Sequence, residues 1–374
     1  MSMSSRQRVE AALRHQQPDR TPLFEYVLLS PVADQILGRP LTLSPQVWNS
    51  LVEERGVQVA ARQIALDALD LAQLLGHDML YVCPNPRSSD RPSNSTHATE
   101  MNLTDPVEAL CRRNERHAVA MPQWADEQLL VYVELYAEMA RREIDLPVLA
   151  PAYAHGVWTD VALMQTLLLD PQVAREHFAL ATRDMLARVP QYAALGVDLI
   201  GVGGDFAGTV PIISPSVYRE FIVPEVRRVS QAAHAAGCWT ANASDGNLWS
   251  VIEDFLFGCE VDGYLEIDMH AGMDLRTLKQ RYGERITFFG NLDCGNTLSF
   301  GTPESVRQHT LDCLEAGWGQ GGHILCASNA ITASVPTRNY MAIVQAYRER
   351  FDLPPLRGRL AELDKSGHLT IMSQ

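Results

Sequence analysis

The seven cysteines contain no CxxC pair, which removes the ligand spacing of a zinc ribbon, and their odd, scattered placement removes a disulfide framework. Each is expected as a free thiol in a reducing compartment. No apolar run approaches the ~18 residues of a membrane helix, and the start, MSMSSRQRVEAALRHQQPDR, lacks the apolar stretch of a signal peptide. A cytoplasmic location is the expectation. Positive charge is scarce: 31 Lys and Arg against 45 Asp and Glu leave a formal charge of −14 with no basic stripe. That balance opposes nucleic acid and anionic membrane as partners and favours a small organic substrate. No GxGxxG opens a helix after the first strand-like run; GVGGDFAG follows the fourth run and leads into a proline, so a dinucleotide-binding open sheet is disfavoured.

What is present is an alternation of short apolar runs with longer segments of helical period. Eight runs stand out: 21–27, 78–84, 146–153, 197–205, 237–245, 261–268, 285–293 and 322–329. Apolar runs without polar alternation are what parallel strands covered on both faces look like. Ser214-Pro215, Asp170-Pro171 and Thr302-Pro303 carry helix-starting chemistry, and Gly196 and Gly237 helix-stopping chemistry. Eight strands each followed by a helix predict a single (β/α)8 TIM barrel over residues 1–374, with an N-terminal helix. A long excursion is expected over 85–120, between the second and third runs.

Chemistry in such a barrel sits where the strands run out. The run ends supply Glu25, then Tyr153 and His155, Asp205, Asn242 with Ser244 and Asp245, Glu266 and Asp268, Asn291 and Asp293, and Ser328 and Asn329. Any one of these polar residues can be a helix cap or a turn. Four successive strands ending in carboxylates around one mouth would instead raise the pKa of at least one, as general acid chemistry requires. His155 is the best candidate for a site imidazole. No His and Cys spacing matches a zinc pattern.

The succession EAALRHQQPDRTPLFE, GGDFAGTVPIISPSVYREFIVPEVRRVSQAAHAAG, ASDGN, GYLEIDMHAGMDLRTLKQRYGERITFFGNLD and GGHILCASNAITASVPTRNY resembles the uroporphyrinogen decarboxylase superfamily. That resemblance implies a (β/α)8 barrel, often dimeric, and either tetrapyrrole decarboxylation or methyl transfer between small substrates, corrinoid proteins and thiols. It places Asp205, in GDFAG, in the pocket. The decarboxylases carry an N-terminal Met-Arg-Gln-Ala-Gly-Arg whose arginines meet substrate carboxylates; here the segment reads DRTPLFEYVLLSPVADQILGRP. The thiol-activating methyltransferases bind zinc through His-X-Cys and a later Cys. In this sequence those positions fall on Ala243, Asp245 and Asn329, so zinc is not expected.

The leading expectation is methyl transfer from a small methoxylated or methylated compound to a corrinoid carried by a separate protein, with no firmly bound cofactor. Asp205 and Asp245, backed by Glu266 and His155, are the candidate acids. Asn242, Asn329, Asp268 and Asn291 would orient the substrate, and Tyr153 and Trp158 would pack its ring. The alternatives are a decarboxylase acting on a carboxylated small molecule or tetrapyrrole, with Asp205 stabilising a cationic intermediate, and a non-catalytic ligand-binding barrel. A homodimer is expected from the resemblance.

Overall fold

A computed structural model describes residues 2–86, 105–120 and 126–363. Seven strands form one parallel sheet in chain order: β1 (Leu80–Tyr81), β2 (Val148–Pro151), β3 (Leu199–Gly203), β4 (Trp239–Ala243), β5 (Gly263–Leu265), β6 (Thr287–Phe289) and β7 (His323–Ile324). Each lies inside one of the apolar runs. The runs lack polar alternation because both sheet faces are dry. One set of side chains, including Leu149, Leu199, Ala241, Leu265, Phe289 and Ile324, packs in a cluster with Val9, Ala12 and Leu13 of the helix Ser5–Leu13. The alternate set, including Val148, Ile200, Val202, Tyr264 and Phe288, packs in the larger cluster with the surrounding helices.

The first run, 21–27, departs from the expected strand. It pairs through an isolated bridge, Leu23 to Leu325, with a second just past its end, Leu28 to Ile331, rather than through a ladder. Pro22, at its start, has no amide to donate, and the Leu23 amide goes to the Asp78 carboxylate at 3.0 Å. Asp78 donates its own amide back to the Leu23 carbonyl at 2.7 Å.

Asp78 belongs to a set. Asp78, Asp198 and Asp262 each stand just before an odd-numbered strand, and each carboxylate accepts an amide from the preceding extended segment: Leu23, Val148 at 2.9 Å and Thr240 at 2.7 Å. The N-terminal helix neutralises two of them, through Arg6 to Asp198 and Arg8 to Asp78 at 2.6 Å. Arg8 and Asp78 are each 1% exposed. Arg8 also reaches Asp19 at 2.7 Å and the Met3 carbonyl at 2.7 Å, so its donors are well used. Arg20 joins Asp78 at 3.3 Å and Tyr347 at 3.0 Å, which makes it a structural residue of this end of the sheet.

The helices follow their caps. Ser214, Asp170 and Thr302 accept amides of the first turns they precede, and Gly196 and Gly237 take left-handed φ of 98° and 83° where their helices end. The segment 46–76, continuous in periodicity, is two helices, Pro45–Arg55 and Val57–Leu75, because Gly56 at φ 86° breaks it. Of the excursion expected over 85–120, residues 87–104 lie outside the described residues, and Pro106–Val119 is a helix capped by Asp105.

Removing one partner of a buried ion pair leaves a desolvated charge, which costs about 3–5 kcal/mol. Asp78→Ala should therefore lower the unfolding free energy by about that amount in urea denaturation. The double change Arg8→Met with Asp78→Leu should recover part of the loss, since the Arg8 guanidinium is then no longer buried without Asp78.

Candidate active site

Backbone geometry at the strand ends brings the carboxylates together. After β3 the chain passes through Gly203 and Gly204, at φ 82° and 138°, into Asp205. A Cβ on Gly204 would lie 2.7 Å from the Gly156 amide nitrogen, so only glycine lets the loops after β2 and β3 meet here. That contact anchors Asp205: its carbonyl accepts the Val157 and Trp158 amides at 2.7 and 2.9 Å. Its side chain accepts the Asp245 amide at 3.1 Å. Glu266 follows β5 with φ 69°, a left-handed backbone that a glutamate adopts at some strain.

Two adjoining cavities occupy this end of the sheet, and Asp205 lines both. The inner one, about 360 Å³, is walled by Tyr26, Tyr153, Gly156, Asp205, Ala243 and Glu266. Gly201 makes room beneath it, since a Cβ there would come within 2.3 Å of the Tyr153 hydroxyl. The outer one, about 530 Å³, includes Trp158, Asp245, Asp268, His270, Cys294 and Asn329. Among the described residues no lysine or arginine lines either cavity.

The electrostatics follow from that deficit. Burial, with the nearby charges of Asp205 and Asp245, pushes Glu266 well above the usual carboxylate range. Asp245 is raised to about 7 by burial and by Asp205 and Asp268, and is partly relieved by the Asn329 amide, which donates to it at 2.7 Å. Burial also raises Asp205, opposed by the Asp245 amide. Asp293 goes the other way. Burial works against its charge, but His270, at 2.7 Å, and the Thr297 and Asn296 amides hold it below the usual range. Glu266 thus favours its protonated form and Asp245 is poised near neutrality, while Asp293 favours its charged form.

Several expected site residues lie here: Asp205, Glu266 and Tyr153 in the inner cavity, and Asp245, Asp268, Asn329 and Trp158 in the outer. Asp268 uses one carboxylate oxygen to accept the His270 and Ala271 amides, so it shapes its own turn as well. Three do not reach the mouth. His155 is fully buried, bonds Thr182 Oγ1 at 2.8 Å and stacks on Phe178, and burial drops its pKa to about 3, which makes it a neutral packing residue. Asn242 turns to the helical layer and donates to the Phe255 carbonyl at 3.0 Å. Asn291 likewise faces Met273 and Cys313. Strand alternation explains Asn242, whose neighbours Ala241 and Ala243 face the inner cluster, whereas Asn291 lies past the end of β6, where alternation no longer sets the side. Glu25 is also on the outer side, buried and raised to about 8 by burial, whereas its neighbour Tyr26 points in. Tyr26 was legible from that alternation, given Phe24 in the inner cluster. Cys294, at the outer cavity, has no sequence signal; burial lifts its thiol to about 12.

The zinc positions of the methyltransferase branch do not form a metal site. Ala243 has no donor atom, and the Asn329 side chain presents its amide N–H to Asp245. No group of three or more His, Cys, Asp or Glu is arranged to hold a metal among the described residues.

A carboxyl whose pKa is raised by folding stabilises the fold while it is protonated, and that contribution is lost as pH rises through the folded value. For Asp245 the window runs from its ordinary 3.8 to about 7. Relative to the wild type, Asp245→Asn should gain stability progressively between those pH values, measured as the difference in urea midpoints; a pH-independent difference would refute the assignment.

Residues 151–350, more than half of the chain, match the family model of uroporphyrinogen decarboxylase (URO-D). A uroporphyrinogen decarboxylase of Coxiella burnetii is 28% identical over 159 residues, 40% of this chain and 40% of its own length. A methylated-thiol–coenzyme M methyltransferase of Methanosarcina mazei is 24% identical over 180 residues, 48% of this chain and 46% of the relative. The chain thus spans less than half the length of these curated relatives. A solved methyltransferase structure from Methanosarcina mazei superposes with a TM-score of 0.67 at 16% identity, covering 94% of this chain and all of that one, and so shares the fold. By the extent of the family match, the chain belongs to the uroporphyrinogen decarboxylase family.

Proposed function

We propose that this protein transfers a methyl group from a small methylated or methoxylated compound to a corrinoid carried by a separate protein, on a sheet closed into a (β/α)8 barrel by the segment around Leu23. The closure is supported by the Leu23 to Leu325 bridge on one side and the Asp78 to Leu23 hydrogen bond on the other. The chemistry is supported above all by one feature: Glu266 and Asp245 are pushed above the usual carboxylate range beside Asp205, in a mouth that no lysine or arginine lines among the described residues.

A methyl ether or amine is a poor leaving group because the departing oxygen or nitrogen keeps the bonding electron pair. A positioned acid that supplies a proton to that atom lowers the barrier. Glu266, deep in the inner cavity, is the donor in this reading. Asp245, held by Asn329, is the next proton store towards the outer cavity. Tyr153 packs the substrate in the inner cavity, and Trp158 packs at the rim.

A reduced corrinoid, when bound, supplies the nucleophile that accepts the methyl group. A corrin is a broad, mostly apolar macrocycle, and the loops at this end expose apolar side chains that suit a partner laid over the mouth: Trp158, Val210, Ile212, Met269 and Phe300. Decarboxylation of a tetrapyrrole fits less well, because its many carboxylates would meet Asp205, Asp245, Glu266 and Asp268 with no guanidinium to pair them. A ligand-binding barrel without catalysis gives no reason to keep Glu266 buried, unpaired and in a left-handed backbone.

The test is transfer of isotopically labelled methyl from candidate donors to a purified corrinoid protein. Wild type should transfer, and Glu266→Gln should reduce kcat by about 10²–10⁴ with KM little changed. Carbon dioxide release from a carboxylated substrate with no methyl transfer from any donor would overturn the reading.

A further inference from the structure

We infer that the inner cavity is a receptor for a methylated ammonium group, so that the methyl donor is a methylated amine rather than a methyl ether. The inference rests on the methyl-transfer reading only for the fate of the bound group; the recognition itself stands on the cavity.

Three features of the cavity converge on a cation. Two of its walls are the rings of Tyr26 and Tyr153, set at 86° with centroids 6.5 Å apart, and Tyr81 backs Tyr26 at 4.4 Å. A corner of two perpendicular aromatic rings is the geometry that receives alkylated ammonium groups through their ring quadrupoles. The same cavity is lined by Asp205 and Glu266. Glu266 is surrounded by protein and has no hydrogen-bond partner among the described residues, so its oxygens remain available to a ligand. The approach is acidic too: Asp245, Asp268 and Asp293 line the outer cavity, and His270 is its one basic side chain among the described residues. A cation entering from solvent meets attraction along the whole route.

The number of carboxyls separates an amine from an ether. An ether oxygen uses one acidic proton, which Glu266 supplies, and leaves Asp205 desolvated without a counter-ion. An amine uses both: it arrives already protonated, the Glu266 proton leaves by way of the outer cavity, and the ammonium is held by the carboxylates of Glu266 and Asp205. When the C–N bond breaks, its electron pair stays on nitrogen, the proton remains there as an amine N–H, and the methyl group passes to the reduced corrinoid. The products are a neutral demethylated amine and a Glu266 carboxylate that takes up a new proton by way of the outer cavity.

The experiment is isothermal titration calorimetry at pH 7 on the full-length protein, without any corrinoid. Three probes of matched size are compared: 2-(dimethylamino)ethanol, which is an ammonium at this pH, its carbon isostere 3-methylbutan-1-ol, and 2-methoxyethanol. The ammonium should bind at least about tenfold more tightly than either neutral probe. Asp205→Asn, which is isosteric, and Tyr153→Leu should each remove most of that preference, with thermal unfolding showing that both variants are folded. Equal binding of the carbon isostere, no ammonium binding at millimolar concentration, or a preference unchanged in Asp205→Asn would overturn the inference. Ammonium binding with no methyl transfer to a corrinoid protein would instead leave the receptor standing and remove the methyl-transfer reading. Transfer from methyl ethers without ammonium binding would do the reverse.

Discussion

The register between β3 and β4 is the constraint on which the site depends. Gly203 pairs with Ala243, and two residues further along both chains Asp205 lies level with Asp245, close enough for the Asp245 amide to bond the Asp205 carboxylate. The next pairing, Ala243 with Leu265, brings Glu266 into the same arc. A slip of one residue in either pairing would send a carboxylate into the helical layer, where Asn242 already lies. Register, together with the positive φ of Gly203, Gly204 and Glu266, holds the three acids in one mouth, and burial there, with the charge of their neighbours, raises the proton affinity of Asp245 and Glu266.

The two ends of the sheet use the same residue type in opposite ways. At the amino ends, Asp78, Asp198 and Asp262 accept strand amides and are paired with Arg8, Arg6 and His234, so their charge is neutralised and spent on holding the sheet together. At the carboxyl ends, Asp205, Asp245 and Glu266 have no basic partner among the described residues. The helix Ser5–Leu13 makes this asymmetry possible, because it carries both arginines and closes the inner core with Val9, Ala12 and Leu13. Stability and chemistry are thereby kept at separate faces of one scaffold.

Asp205, in GDFAG, lines the pocket, and no lysine or arginine lines it among the described residues. Beside it stand a pair of tyrosines and a surplus of carboxyls. Such a mouth is suited to holding protons and positive charge, and it gives the methyl-transfer reading its chemical content.

The sequence by itself determined the strand positions, the helix caps and the group of acids at the strand ends. All three are local properties: apolar runs in a doubly covered sheet, Ser, Thr or Asp before proline at a helix start, and polar residues where strands stop. Only the tertiary structure decided which of those residues share a cavity. His155, Asn242 and Asn291 sit at strand ends as readily as Asp205 does, yet they face the helices, because the side a residue faces depends on register and on the φ of glycines such as Gly203 and Gly204. The first run looked like any other strand. What it pairs with was decided in three dimensions: Leu23 bridges Leu325 on one side and exchanges hydrogen bonds with Asp78, more than 50 residues away, on the other. The cavity's walls likewise come from Tyr26 and Tyr153, which are distant in sequence, and the raised proton affinities come from several acids that only folding places side by side. Through-space electrostatics and burial have no one-dimensional signature, and for this site they are what set the chemistry.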